Sequence, residues 1–192
     1  MSARDNILKA VALNKPAPAG LPEIHVSSDH SLAARDAFIV ALKNIGATVA
    51  QVAGLIEAEK LLGEENQHKN IIDLLFDKEI NPDQVKAMDA HGLESTYVAY
   101  LKGTLGVAEN SAVWIEEPDM INRLIPFICE HLVIVLDAKN IVYTMHDAYE
   151  RIQTNKYGYG VFIAGPSKTA DIEQSLVIGA HGPRSLKVFL VG

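Results

Sequence analysis

The seven residues His131-Leu132-Val133-Ile134-Val135-Leu136-Asp137 restrict the fold of this chain more than any other stretch. Five branched apolar side chains in a row leave no polar face. A strand with one wet face alternates, so this one has to be covered on both sides. That places it at the centre of a sheet clothed by further layers, the arrangement of α/β proteins.

The surrounding periodicity agrees. Leu32, Ala33, Phe38, Ile39 and Leu42 have helical spacing between Ser31 and Asn44, and Gly46 is a natural stop. Residues 47–52 then predict a strand and residues 54–62 a helix. Asn70 to Phe76 fits a buried strand and a helix equally well. Asn81-Pro82-Asp83 opens a helical turn. Further strands are expected at Tyr97–Leu101, Ala112–Ile115, Gly160–Ala164 and Leu186–Val191, with helices at Asp119–Phe127 and Tyr143–Gln153. At the N-terminus, Ser2 and Asp5 suit a capped helix with an Ile7, Leu8, Val11, Leu13 stripe. The proline-rich stretch Asn14–Pro22 ends it. The expected organisation is an N-terminal helical arm and linker over residues 1–22, followed by a single α/β domain over residues 23–192.

Charge and cysteine content narrow the function. The 192 residues carry 17 lysines plus arginines against 24 aspartates plus glutamates, a formal net charge of −7. Such a surface repels phosphate backbones and anionic lipid heads, which argues against general nucleic-acid or membrane binding and leaves a local basic pocket open. One cysteine, Cys129, cannot form an internal disulfide, hold an iron–sulfur cluster or build a cysteine-rich zinc site. Beside Phe127-Ile128 it is expected to be a small buried hydrophobe. The histidines have no metal-ligand spacing supported by other ligands, so no metal site is expected. The N-terminus has no apolar signal core and no run is long enough to cross a bilayer, which predicts a soluble cytoplasmic protein.

Chemistry is expected in three glycine-marked loops beside strands. In the first, Gly165-Pro166 delivers Ser167, Lys168 and Thr169 before a possible helical turn, with Asp171 and Glu173 following. Backbone N–H groups, two hydroxyls and an ammonium suit an anion, although a plain capped turn has the same residues. The spacing is not that of a phosphate-binding P-loop. In the second, Gly179-Ala180-His181-Gly182-Pro183-Arg184, the arginine can clamp a carboxylate and the histidine can move a proton; a surface ion pair is the plainer alternative. In the third, Glu109 sits among small residues before a strand, as a base, a nucleophile or simply an acceptor for nearby backbone N–H groups. All three loops are expected to converge on one crevice at a sheet edge.

The order and spacing of Gly165 to Glu173 and of Gly179 to Arg184 resemble the C-terminal signature of the LUD-domain proteins, in particular their lactate utilization C group. Gly106-Val107-Ala108-Glu109 resembles the middle motif of the same family, which usually continues Thr-Gly-Thr where this chain has Asn110-Ser111-Ala112. The resemblance covers residues 30–192. It implies a three-layer α/β fold with a mostly parallel sheet, like that of the sugar-phosphate isomerases and CoA transferases. It also implies a part in the oxidation of L-lactate to pyruvate. In that role the chain is an accessory or substrate-binding subunit with no cofactor of its own, beside two partner proteins that carry iron–sulfur clusters. A small anionic metabolite is then expected at Gly165, Ser167, Lys168, Thr169, Asp171, His181 and Arg184. A second class stays open: a free-standing enzyme of the isomerase or acyl/CoA-transfer type, using Glu109. Homo-oligomerisation is open in both.

Overall fold

A computed structural model describes residues 2–17, 19–20, 31–65, 70–152, 158–170 and 176–192. The chain opens with α1 (Ala3–Leu13), where Ser2 and Asp5 form the expected reciprocal cap and every helical residue is exposed. α2 (Ala34–Asn44) leads into β1 (Thr48–Val52), α3 (Leu55–Glu65) and β2 (Ile71–Asp73). Two short helices, α4 (Pro82–Ala87) and α5 (Ala90–Leu93), precede β3 (Val98–Gly103), which β4 (Leu105–Val107) and β5 (Val113–Glu116) follow. Single turns α6 (Glu117–Met120) and α7 (Ile125–Ile128) come before β6 (His131–Asp137). The remainder is β7 (Ile141–Val142), α8 (Met145–Arg151), β8 (Gly160–Ile163), β9 (Lys168–Ala170), β10 (Leu176–Ile178) and β11 (Ser185–Val191).

Five strands form a parallel sheet in the order β1-β11-β6-β3-β2, with the apolar run as its middle strand. Its alternate side chains divide between two cores. Leu132, Ile134 and Leu136 pack with Phe38 and Leu42 of α2, and Val133 and Val135 pack with Ala58 and Leu62 of α3. The strand is therefore buried on both faces, as its composition requires. A second sheet, β7-β4-β5-β8, adds Val113, Ile141 and Ile163 to the α2 side, and β9 and β10 form a separate antiparallel pair. The fold is a three-layer α/β arrangement around a parallel sheet. α3 carries the chain from β1 at one edge to β2 at the other, after which β3, β6 and β11 step back through connections on the α2 side. Among the described residues, no helix is long and apolar enough to cross a membrane.

One open alternative closes and two expectations change. Asn70–Phe76 resolves as the short strand β2, because the Asp73 carboxylate accepts the Leu75 and Phe76 N–H groups, each at 2.9 Å, and turns the chain. The helix expected over Tyr143–Gln153 is α8, started at Met145 by a Thr144–Asp147 capping box; Gln153 lies outside the described residues. The single helix expected over Asp119–Phe127 is instead α6 and α7, broken at Ile121, whose φ is +58°. Asn122 accounts for the break. Its buried amide donates to the carbonyls of Val85 (3.0 Å) and Met88 (2.9 Å), while its side-chain oxygen accepts from Leu124 N (3.0 Å). These bonds tie the break to α4. Asn122→Ala is expected to cost about 2–3 kcal/mol, since it strands buried carbonyls as well as losing the bonds. Urea unfolding measures it, and an unchanged midpoint would remove Asn122 from this role.

Candidate functional site

Because β3, β6 and β11 are parallel, the loops that enter them share the amino edge of the sheet. Glu130 N donates to Thr96 O (3.1 Å) and Arg184 N donates to Glu130 O (2.8 Å), joining the three entries side by side. Ser167 binds the first glycine loop to the second. Its N–H donates to Pro183 O (2.8 Å), its carbonyl accepts from Gly179 N (3.0 Å), and its hydroxyl accepts from His181 N (3.4 Å). The glycines have backbone reasons. Gly165 has φ +72° and a Cβ there would stand 2.9 Å from Ile45 Cδ1; Gly179 has φ +84° against the Arg184 side chain. Two of the three loops therefore meet, beside an open cleft of about 520 Å³ whose lining includes Tyr97, Cys129, Glu130, His181 and Arg184.

Lys168, Arg184 and the Ser167 N–H at this edge already have partners. Lys168 Nζ donates to Ile45 O just past the end of α2, where terminal carbonyls lack helical partners. Arg184 Nη1 lies 2.8 Å from Glu130 Oε1. The Ser167 N–H, expected to face an anion, is spent on Pro183 O. Thr169 lies in β9, paired with Val177 of β10, so a strand stands where the sequence allowed a helical turn. Asp171 and Glu173 lie outside the described residues. The edge also holds a contact that sequence reasoning missed. His131 Nδ1 lies 2.7 Å from Ser185 Oγ, because the two residues are register partners on β6 and β11. Burial pushes the Cys129 thiol up to about 12, so it is held protonated.

Glu109 is elsewhere, and the expected single crevice is corrected. Its N–H donates to Tyr143 O (3.0 Å), and the Tyr143 hydroxyl donates to Leu32 O before α2 (3.2 Å). Lys168 binds at the other end of α2. Eleven helical residues span roughly 16 Å, and that length separates Glu109 from the paired loops. The Glu109 carboxylate accepts Met145 N (2.9 Å), an otherwise orphaned donor in the first turn of α8. This matches the plainest of the three roles expected for it.

The LUD-domain family model matches residues 42–191, from the end of α2 to the end of β11. The chain belongs to the LUD-domain family. This family is associated with lactate utilization. The fold also resembles the crystal structure of a DUF162-family protein from Deinococcus radiodurans, with a TM-score of 0.64 at 15% identity, covering 83% of this chain and 96% of that one. An uncharacterized protein from Neisseria meningitidis serogroup B is 40% identical over 60 residues. That stretch is 30% of this chain and 26% of the relative, so the matched part spans about a quarter of the relative's length.

The LUD domain has a second concavity, at the carboxyl edge of the same sheet, where open α/β sheets generally hold ligands. It measures about 580 Å³ and is lined by Lys102, Asp119, Asp137 and Asn140 with Leu55 and Phe76 among its apolar walls. Sequence reasoning passed over these residues. The available signal was a charged side chain near or at the end of an apolar strand, Lys102 on β3 and Asp137 on β6.

Proposed function

We propose that this LUD-domain chain is the C component of an L-lactate oxidation system. In this reading it is a cytoplasmic subunit that binds a small anionic metabolite, while iron–sulfur clusters on two partner proteins carry the electrons. The observation that supports it best is the LUD match over residues 42–191 in a chain with one cysteine, and that one buried. Cluster ligation takes several thiolates, so electron transfer falls to other chains. The anion is assigned to the amino-edge cleft. Arg184 has spent one nitrogen on Glu130, its fork keeps further donors, and exposed His181 stands beside it.

A charge-assisted pair contributes roughly 1.5–3 kcal/mol. Arg184→Ala is therefore expected to weaken L-lactate or pyruvate binding by about tenfold to a hundredfold. Melting should hardly move, because an exposed ion pair is worth about 0–1 kcal/mol. Calorimetric titration beside melting curves makes the comparison. Unchanged affinity with a lowered melting temperature would reduce these loops to scaffold. Affinity capture of the tagged chain from its native cells tests the assembly, and recovery without iron-bearing partners counts against it.

A further inference from the structure

The carboxyl-edge cavity has a donor and acceptor pattern of its own. On β3 the burial runs buried at Leu101, exposed at Lys102 and buried again at Gly103. Lys102 is exposed because its neighbour β2 stops at Asp73, opposite Tyr100, leaving the end of β3 without a strand on that side. On its other side Lys102 is in register with Val135 of β6, and Asp137 follows two residues later on the same sheet face. Among the described residues, the Lys102 ammonium has no hydrogen-bond or ion-pair partner.

The facing carboxylates are only partly used. Asp137 accepts one N–H, from Lys139 at 2.9 Å, and Asp119 accepts one hydroxyl, from Thr104 at 3.2 Å. An ionised carboxylate has about four lone-pair sites and no donor, whereas an ammonium is donor only. A molecule matching this cavity carries an anionic acceptor at one end and several hydroxyl donors along its length. The cavity, at about 580 Å³, falls in the range of metabolite-sized sites and is far larger than a three-carbon acid needs. Leu55 and Phe76 offer an apolar wall for the C–H face of such a chain.

We infer that the carboxyl-edge cavity binds a polyhydroxylated carboxylic acid of sugar-acid size, with its carboxylate on Lys102 and its hydroxyls on Asp119, Asp137 and Asn140. The site is separate from the amino-edge cleft and stands or falls independently of it. Calorimetric titration of the full chain with D-gluconate is the test, with sorbitol lacking the anion and hexanoate lacking the hydroxyls. Gluconate is expected to bind, and each control to bind at least about tenfold more weakly. Lys102→Met should weaken gluconate binding by about tenfold or more, and Asp137→Asn, which keeps the acceptor for Lys139 N, by about fivefold. Arg184→Ala should leave it unchanged. Absence of gluconate binding at millimolar concentration overturns the inference. So does parental affinity in Lys102→Met, equal binding of sorbitol or hexanoate, or a loss that follows Arg184→Ala instead. Should Lys102→Met fail to fold, Asp137→Asn decides, and parental affinity there overturns the inference as well.

Discussion

Iodoacetamide is expected to alkylate Cys129 about a thousandfold more slowly in the native protein at mildly alkaline pH than in the urea-unfolded chain. The thiolate is the attacking species, and each unit of pKa changes its population tenfold. The side chain is 1% exposed, and burial lifts the thiol from an ordinary 9.0 to about 12. Exclusion of the reagent can only enlarge the difference. The same shift sets a pH dependence. Below pH 9 the thiol is protonated in both states and leaves stability alone. As pH rises from there towards 12, the unfolded chain ionises while the folded one does not, so stability falls across that window. A mass-spectrometric time course with and without urea measures the rate. Equal rates in the two states would mean that Cys129 is open to the cleft it borders.

The doubly covered central strand was legible because its evidence is local. Five adjacent branched apolar residues leave a strand no wet face, and β6 has cover on both faces. The Ser2 cap and the helical turn opened by Asn81-Pro82-Asp83 were legible for the same reason, since each rests on residues no more than three apart. The break between α6 and α7 was not. It depends on Asn122 reaching the carbonyls of Val85 and Met88, more than thirty residues away, and no pattern near Asn122 announces them.

The site divides along the same line. The two glycine loops were found, and they meet, because their glycines mark turns that other residues would strain. What those turns are for was less visible. Lys168 ends on a carbonyl beyond α2 and Arg184 on Glu130, partners separated in sequence by 123 and 54 residues. Glu109 was assigned to the same crevice because its loop also adjoins a strand, yet β4 belongs to the other sheet. Lys102 was overlooked because a lysine near a strand end usually means solvent. Its meaning comes from β2 stopping short, which is a property of the pairing and not of the residue.

Replacing Ile134 by alanine is expected to destabilise the protein by about 2–5 kcal/mol, through lost apolar transfer and the cavity left behind. Ile134 is fully buried at the midpoint of β6, between Val188 of β11 and Leu101 of β3 in register. In a domain of this size each kcal/mol moves the melting temperature by roughly 2–4 °C, so a fall of about 10 °C should be seen. Ile56 on α3 is the internal control. It is 84% exposed, and Ile56→Ala should stay within about 0.5 kcal/mol of the parent. The opposite face of the strand needs its own probe. Val133→Thr preserves shape and adds a hydroxyl among Val98, Tyr100 and Phe189. A buried hydroxyl without a partner costs about 1–3 kcal/mol, whereas a face open to water would accept it freely. Loss at both positions requires cover on both sides of β6. Loss at Ile134 alone would leave the α3 side wet, and the three-layer arrangement would have to be withdrawn.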